Sequence, residues 1–230
     1  MAKLFLFDID GTLVAENRDG IITAAQATDR FESAIKNVTN TYVPRARDFR
    51  GFTDYQILAG MLSDAGWDEE RIKRAMPELI AALDTFHAKN FRRETLQILP
   101  GVVDLLQALR ERGQVLGLLT GKLEPIARRV LEAFGLWQFF TVGGFGDDPH
   151  VIRADLARLA VERAGFMKRL REVYAIGDTP LDIQAALDAG VIAVGVANGF
   201  RVPNELSDAG ADLVFKDFTD TAQVIAKLGA

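Results

Sequence analysis

Cysteine is absent from this chain of 230 residues, which excludes disulfides, thiolate metal sites and a cysteine nucleophile together. Histidine is scarce: His87 and His150 are the two present, they carry no ligand spacing, and both read as surface or packing residues. An excess of positive charge is also missing. The formal net charge of −5 argues against a nucleic-acid surface and against a basic membrane-binding face. A small anionic substrate remains compatible with that charge, because backbone N–H groups and a bound metal can overrule it locally. No apolar run approaches ~20 residues, so no membrane-spanning helix is expected. The first apolar run begins after three residues and ends in an aspartate, unlike a signal peptide. These absences lead us to expect a soluble cytoplasmic protein, monomeric or homodimeric, with neither nucleic-acid nor membrane partners. Hydrophobic residues make up 49% and charged residues 26%, an ordinary globular balance, and the length suits one large domain or a core with an insert.

Two textures run along the chain. From Leu99 onward, short apolar runs alternate with amphipathic segments. VVDLLQALRERG (102 to 113) puts Val102, Leu105, Leu106 and Leu109 on one helical face, with Pro100 just before it and Gly113 at its end. Strand-like QVLGLLT (114 to 120) follows. RADLARLAVERAG then precedes EVYAIGD (172 to 178), and VIAVGVANG and ADLVF continue the alternation between helical LDIQAALDAG and PNELSDAG. Strands spaced by helices predict an α/β fold with a parallel, Rossmann-like sheet and helices on both faces. Residues 20 to 93 instead show helical periodicity with hardly a strand signal, and Pro77 is expected to kink or interrupt the third helical segment. The expected organisation is a core of residues 1–15 and 98–230 with an all-helical insert, residues 16–97. VAENRDG leads into that insert and ETLQILPG leads out.

Three apolar runs end in polar residues: Asp8 after KLFLF, Thr120 after VLGLL and Asp178 after VYAIG. In a parallel sheet the three C-terminal ends share the edge where open α/β sheets bind ligands. Gly11, Gly121 and Gly177 lie close by and permit tight turns or close approach to an anion. Asp8, Asp10, Asp178 and Asp182 form a dense acidic set that calls for a hard cation. Mg²⁺ suits it, preferring oxygen ligands and often taking only one or two carboxylates. Taken singly, GDTPLD also reads as a helix cap with an acidic first turn, and Thr120 as a structural hydroxyl.

DIDGTL (8 to 13), LLTGK (118 to 122) and AIGDTPLD (175 to 182) together resemble the first, second and fourth motifs of the haloacid dehalogenase superfamily of phosphohydrolases, over essentially the whole chain. The third motif supplies a lysine or arginine; Arg153, in DPHVIRADLARLA, stands where arginine-bearing relatives place it, with Arg158 and Lys168 as alternatives. The helical insert resembles the small cap of the phosphoglycolate phosphatase and β-phosphoglucomutase branch.

The resemblance implies that Asp8 attacks phosphorus to form an aspartyl-phosphate. It implies that Asp10 protonates the departing alkoxide and later deprotonates the hydrolytic water. The first task needs a proton on an aspartate whose ordinary value is about 3.9, and burial beside negative charges is expected to favour one. Mg²⁺ would be held by Asp8, the Asp10 carbonyl and Asp178. Thr120, the Gly121 N–H and Arg153 would bind phosphate oxygens, and Asp182 would support the metal's waters or Arg153. Asp10 also speaks against dehalogenation, since a halide needs no proton to leave. RGFTDYQIL resembles the cap loop that meets substrate, which places Arg50, Gly51, Phe52 and Thr53 nearest the leaving group; Thr53 also reads as a helix cap. Arg45 and Arg47 read as solvated arginines sooner than as carboxylate ligands. The expected activity is hydrolysis of a small phosphorylated metabolite of the phosphoglycolate kind. The alternatives are a sugar phosphomutase and a catalytically silent phosphate-binding module.

Overall fold

The computed structural model describes residues 2–18, 21–23, 29–43, 52–148, 152–198 and 202–230. Its first strand, β1 (Leu4–Phe7), buries all four side chains completely. An unbroken apolar run of this kind suits a strand covered on both faces. Phe5 and Phe7 join one core cluster and Leu4 and Leu6 another, as the two-residue period of a strand requires.

Three short strands, β2 (Val14–Arg18), β3 (Ile21–Thr23) and β4 (Leu96–Ile98), form a separate antiparallel sheet in the order β3-β2-β4. Between β3 and β4 lie the helices α1 (Asp29–Thr39), α2 (Asp54–Asp64) and α3 (Glu69–Asn90). The chain then runs through α4 (Val102–Glu111), β5 (Val115–Leu119), α5 (Glu124–Glu132), β6 (Val142–Gly144), α6 (Arg153–Arg163), β7 (Val173–Gly177), α7 (Pro180–Ala189), β8 (Ile192–Val196), α8 (Pro203–Asp208), β9 (Leu213–Phe215) and α9 (Thr221–Leu228). Strand order in the main sheet is β6-β5-β1-β7-β8-β9, and every pairing is parallel. Helices α4 and α9 cover the face of Phe5 and Phe7, while α6 and α7 cover that of Leu4 and Leu6. The chain leaves β1 toward β5 on one side and later returns to β7 on the other, so the sheet's switch point lies at β1.

This is the expected α/β architecture with a parallel six-stranded sheet. The structure adds β6, α5 and α9, none of which the sequence reading included; β6, with two glycines in three residues, has little strand character by composition.

The passages into and out of the helical region differ from expectation. In the passages that lead into and out of the insert, β2 and β4 pair side by side, with Val14 opposite Ile98 and Glu16 opposite Leu96, and β3 extends the ladder. The expected boundaries at residues 15/16 and 97/98 fall inside it. β2 is polar beyond Ala15 and β4 has three residues, so neither carries an apolar run, and their pairing comes from the two passages lying adjacent. Pro77 does not interrupt α3, which runs through it for 22 residues. Met76, Leu79 and Leu83, all nearly or fully buried, hold the helix on both sides of the lost N–H. The helical core continues into Leu123 and Ile126 at the start of α5, so α1–α3 pack directly on the loop after β5. Among the described residues, no helix is long and apolar enough to cross a membrane.

Candidate active site

Asp8, Thr120 and Asp178 follow immediately on β1, β5 and β7, three adjacent strands of the main sheet. Phe7 pairs with Leu118 and with Ile176, and that register delivers all three residues to one point of the C-terminal edge. The Asp8 N–H donates to the Ile176 carbonyl at 2.9 Å and the Thr120 N–H to the Gly144 carbonyl at 3.1 Å, so both backbones are held as the strands end. All three are buried.

Arg153 opens α6 and turns its guanidinium inward. Nη2 lies 2.6 Å from Asp8 Oδ1 and 2.8 Å from Asp182 Oδ1, and donates to the Leu119 carbonyl at 3.4 Å. A cation at a helix N-terminus opposes the dipole, a cost of ~0.3–1 kcal/mol that the adjacent carboxylates outweigh. Burial acts against the Arg153 charge, yet Asp182, Asp8 and Asp178 together raise its pKa above the ordinary value. Of the three candidate cations for this position, the structure brings Arg153 alone to the site: Arg158 pairs with Asp155 on the surface of α6, and Lys168 is exposed.

Asp182 has a second role. Its Oδ2 accepts from the Thr179 N–H at 2.9 Å and the Thr179 hydroxyl at 2.7 Å, while Thr179 caps α7. The cap reading of GDTPLD therefore holds: Thr179 and Asp182 form a capping box, and the same acid also contacts Arg153. Gly11 adopts φ +79°, and a Cβ there would collide with the Asp178 carboxylate. Only glycine allows the turn after Asp10 to pass this close to Asp178.

Carboxylate oxygens of Asp8, Asp178 and Asp182 lie within 4.8 Å of one another. Burial pushes Asp8 up from 3.8 to about 7; Arg153 pulls against that rise, while Asp182 and Asp10 add to it. Among the described residues, these three buried carboxylates face the Arg153 guanidinium, and gathering carboxylates in a low-dielectric site is costly unless cations join them. The donors are all hard oxygens, so the residues present fit Mg²⁺.

Asp10 departs from expectation. Its carboxylate is 30% exposed, and the Nζ of Lys122, only 7% exposed, lies 2.6 Å from its Oδ2. Burial among negative charges is thus replaced by partial exposure beside an ammonium. Lys122 stands in the LLTGK run, and a lysine directly after a strand-end Thr-Gly was a signal that sequence reasoning passed over.

The glycine of that run also has an unexpected partner. A Cβ on Gly121 would lie 2.6 Å from the Phe52 carbonyl and 2.8 Å from the Thr53 Cα, so Gly121 makes room for the start of α2. The Asp54 N–H donates to the Gly121 carbonyl at 2.7 Å, and the buried Asp54 carboxylate accepts from the Leu123 N–H at 3.2 Å and from Arg30 at 3.3 Å. Asp54 was not singled out in the sequence, and no local pattern marks it, since its partner Leu123 is 69 residues away. Thr53 forms a capping box with Gln56, fulfilling its helix-cap reading, and the Phe52 side chain is 42% exposed. Arg50 and Gly51, like Arg45, Arg47 and His150, lie outside the described residues. His87, on α3, is half-buried: its ring stacks on Phe91 and its Nδ1 lies 3.0 Å from Arg129.

Fold and site together define an α/β enzyme with its polar machinery at the strand ends of a parallel sheet. Residues 2–190 match the haloacid dehalogenase-like hydrolases, and the chain belongs to that family. It is 33% identical over 230 residues to the phosphoglycolate phosphatase of Escherichia coli O157:H7, covering 93% of this chain and 88% of the relative. The phosphoglycolate phosphatase of Mannheimia succiniciproducens is 27% identical, with 97% and 98% covered. Among solved structures, a predicted phosphatase from Clostridium acetobutylicum superposes with a TM-score of 0.68 at 23% identity, covering 99% of each chain. A β-phosphoglucomutase from Clostridium difficile gives 0.68 at 18% identity, covering 100% of this chain and 98% of the other. At those identities the structures share the fold.

Proposed function

We propose that this phosphatase of the haloacid dehalogenase-like family hydrolyses a small, phosphoglycolate-like phosphomonoester in the cytoplasm, with Mg²⁺ and through an aspartyl-phosphate on Asp8. The observation that carries the reading is the buried trio Asp8, Asp178 and Asp182 around Arg153 at the strand ends. Phosphoryl transfer needs little covalent chemistry from the protein beyond a nucleophile; positioning and charge do most of the work. Asp8 attacks phosphorus. Arg153, the Thr120 hydroxyl and the Gly121 N–H hold the equatorial oxygens, and Asp182 keeps Arg153 in place. Asp8, Asp178 and the Asp10 carbonyl would hold Mg²⁺, which when bound would supply charge neutralisation at those oxygens. Asp10 gives its proton to the leaving oxygen and then takes one from the water that hydrolyses the intermediate. The helices α1–α3 form a cap domain over the edge, hinged at β2 and β4. The loop of Arg50, Gly51, Phe52 and Thr53 meets the leaving group, and in this reading it selects a small acidic substrate.

A phosphate-release assay over a panel of phosphomonoesters, with Mg²⁺, Ca²⁺ or excess chelator, tests this. The expected result is Mg²⁺-dependent release, highest on a small carboxylate-bearing ester, with little activity in Ca²⁺, whose longer and more numerous contacts misplace the nucleophile. Full activity in chelator would remove the metal from the mechanism. Conversion of a sugar phosphate to its isomer without free phosphate would identify a mutase, and no turnover of any ester would leave a silent binding module.

A further inference from the structure

We propose that Lys122 is a positioning residue for the proton transfer of Asp10, an inference that rests on the phosphatase reading above. A lysine this buried needs a partner, and its Nζ finds one in Asp10 Oδ2 at 2.6 Å. The backbone around it is held from several sides. Its carbonyl accepts from the Gly146 N–H at 2.7 Å, its own N–H meets the Thr120 hydroxyl at 3.3 Å, and the next residue, Leu123, is bound by Asp54. The ammonium therefore projects from a fixed loop toward a half-exposed carboxyl.

Among the described residues, the buried cations Arg153 and Lys122 take different acidic partners. Arg153 serves Asp8 and Asp182, the nucleophile side; Lys122 serves Asp10, the acid–base side. His87 does not compete for that place. Burial, then the positive charges of Lys122, Arg30 and Arg129, push it down to about 3, so its ring is neutral.

The chemistry balances as follows. An Asp8 oxygen bonds to phosphorus while the bond from phosphorus to the leaving oxygen breaks, and its electron pair stays on that oxygen. The leaving oxygen takes the proton from Asp10, which becomes a carboxylate against the Lys122 ammonium. Water then attacks phosphorus and gives a proton to Asp10, the bond to Asp8 breaks, and inorganic phosphate departs. Lys122 takes no part in the proton transfer itself. It acts in two ways: engaging Oδ2 leaves Oδ1 free to deliver the proton, and the ammonium already stands where the new carboxylate charge appears.

This role depends on the leaving group. An alkyl phosphate needs the proton, whereas p-nitrophenyl phosphate releases a stable phenolate without one. The test compares wild type, Asp10→Asn, Lys122→Met and Lys122→Arg by kcat/KM on phosphoglycolate and on p-nitrophenyl phosphate, a quantity that spans steps up to the aspartyl-phosphate. Lys122→Met is expected to lower the alkyl-to-aryl ratio of kcat/KM by about 30-fold or more, in the same direction as Asp10→Asn, within the ~10²–10⁴-fold range of acid catalysis. Lys122→Arg should recover part of the ratio. Equal losses on both esters, or no loss on the alkyl ester, overturn the inference while wild-type activity keeps the phosphatase reading intact. No Mg²⁺-dependent release from either ester by wild type overturns that reading, and the inference with it. Should Lys122→Met fail to fold by circular dichroism, Lys122→Gln, which retains a donor, carries the same comparison.

Discussion

The strand ends and the helical layer hold their polar residues by different means. At the sheet edge, Asp8, Thr120 and Asp178 are placed by the register of three adjacent parallel strands, each backbone committed before the side chain begins. In the helical layer, which enters the fold through short antiparallel strands, Asp54 reaches the loop after β5 through individual contacts to Gly121 and Leu123, while Arg30 of α1 pairs with its carboxylate. The first arrangement tolerates side-chain changes structurally but not chemically. The second depends on its side chains for its geometry. The cap motion proposed above would suit the second arrangement, since a few hydrogen bonds can break where a buried ladder cannot.

Substitution of the nucleophile should separate chemistry from structure most sharply. Asp8→Asn is expected to lower turnover by about 10⁴-fold or more with the fold intact, because the amide is no nucleophile and its neighbours stay in register. Phosphate release from freshly purified protein measures it, and wild-type turnover would exclude the covalent mechanism.

Asp54→Ala tests the other side. It leaves the Leu123 N–H and Arg30 without their buried acceptor, and the expected destabilisation is about 1–3 kcal/mol in denaturant titration. On the proposed cap reading, activity should fall by about tenfold, with KM rising more than kcat falls, because substrate would then have to close a cap that is no longer guided. Unchanged stability and KM would mean that the contacts of α2 with the loop are incidental.

The smallest effect concerns pH. Asp8 is raised to about 7 chiefly by burial, so without divalent metal the folded protein keeps a proton there that the unfolded chain releases near pH 4. Stability from this group is full below pH 4 and is lost as pH rises through 7. In chelator, the thermal midpoint of wild type should therefore decline by several degrees between pH 5 and pH 8. Asp8→Asn should flatten the profile, and Mg²⁺ should restore the wild-type midpoint at pH 8. A flat wild-type profile would mean that Arg153 alone satisfies Asp8.

How much of this was legible in the sequence differs by residue. Asp8, Thr120 and Asp178 announced themselves because an apolar run that stops at a polar residue is a local pattern, and parallel topology then carries the ends to one edge. The Arg153 position was narrowed by resemblance to three cations; burial of one guanidinium among carboxylates chose between them. Lys122 was visible but undistinguished, since a lysine in a loop ordinarily faces solvent and only the fold shows it buried against Asp10. β2 reads VAENR, polar beyond Ala15, and β3, β4 and β6 have three residues each, so none carried the apolar run that marked β1, β5 and β7.

By itself, then, the sequence determined the α/β class, the three strand-end residues and the family, because each depends on short-range pattern: apolar period, turn chemistry, fixed motif spacing. The tertiary structure alone decided which cation serves which carboxylate, why Gly121 must be glycine, and how α2 docks through Asp54. Those depend on distances between residues far apart in the chain, and only packing sets such distances.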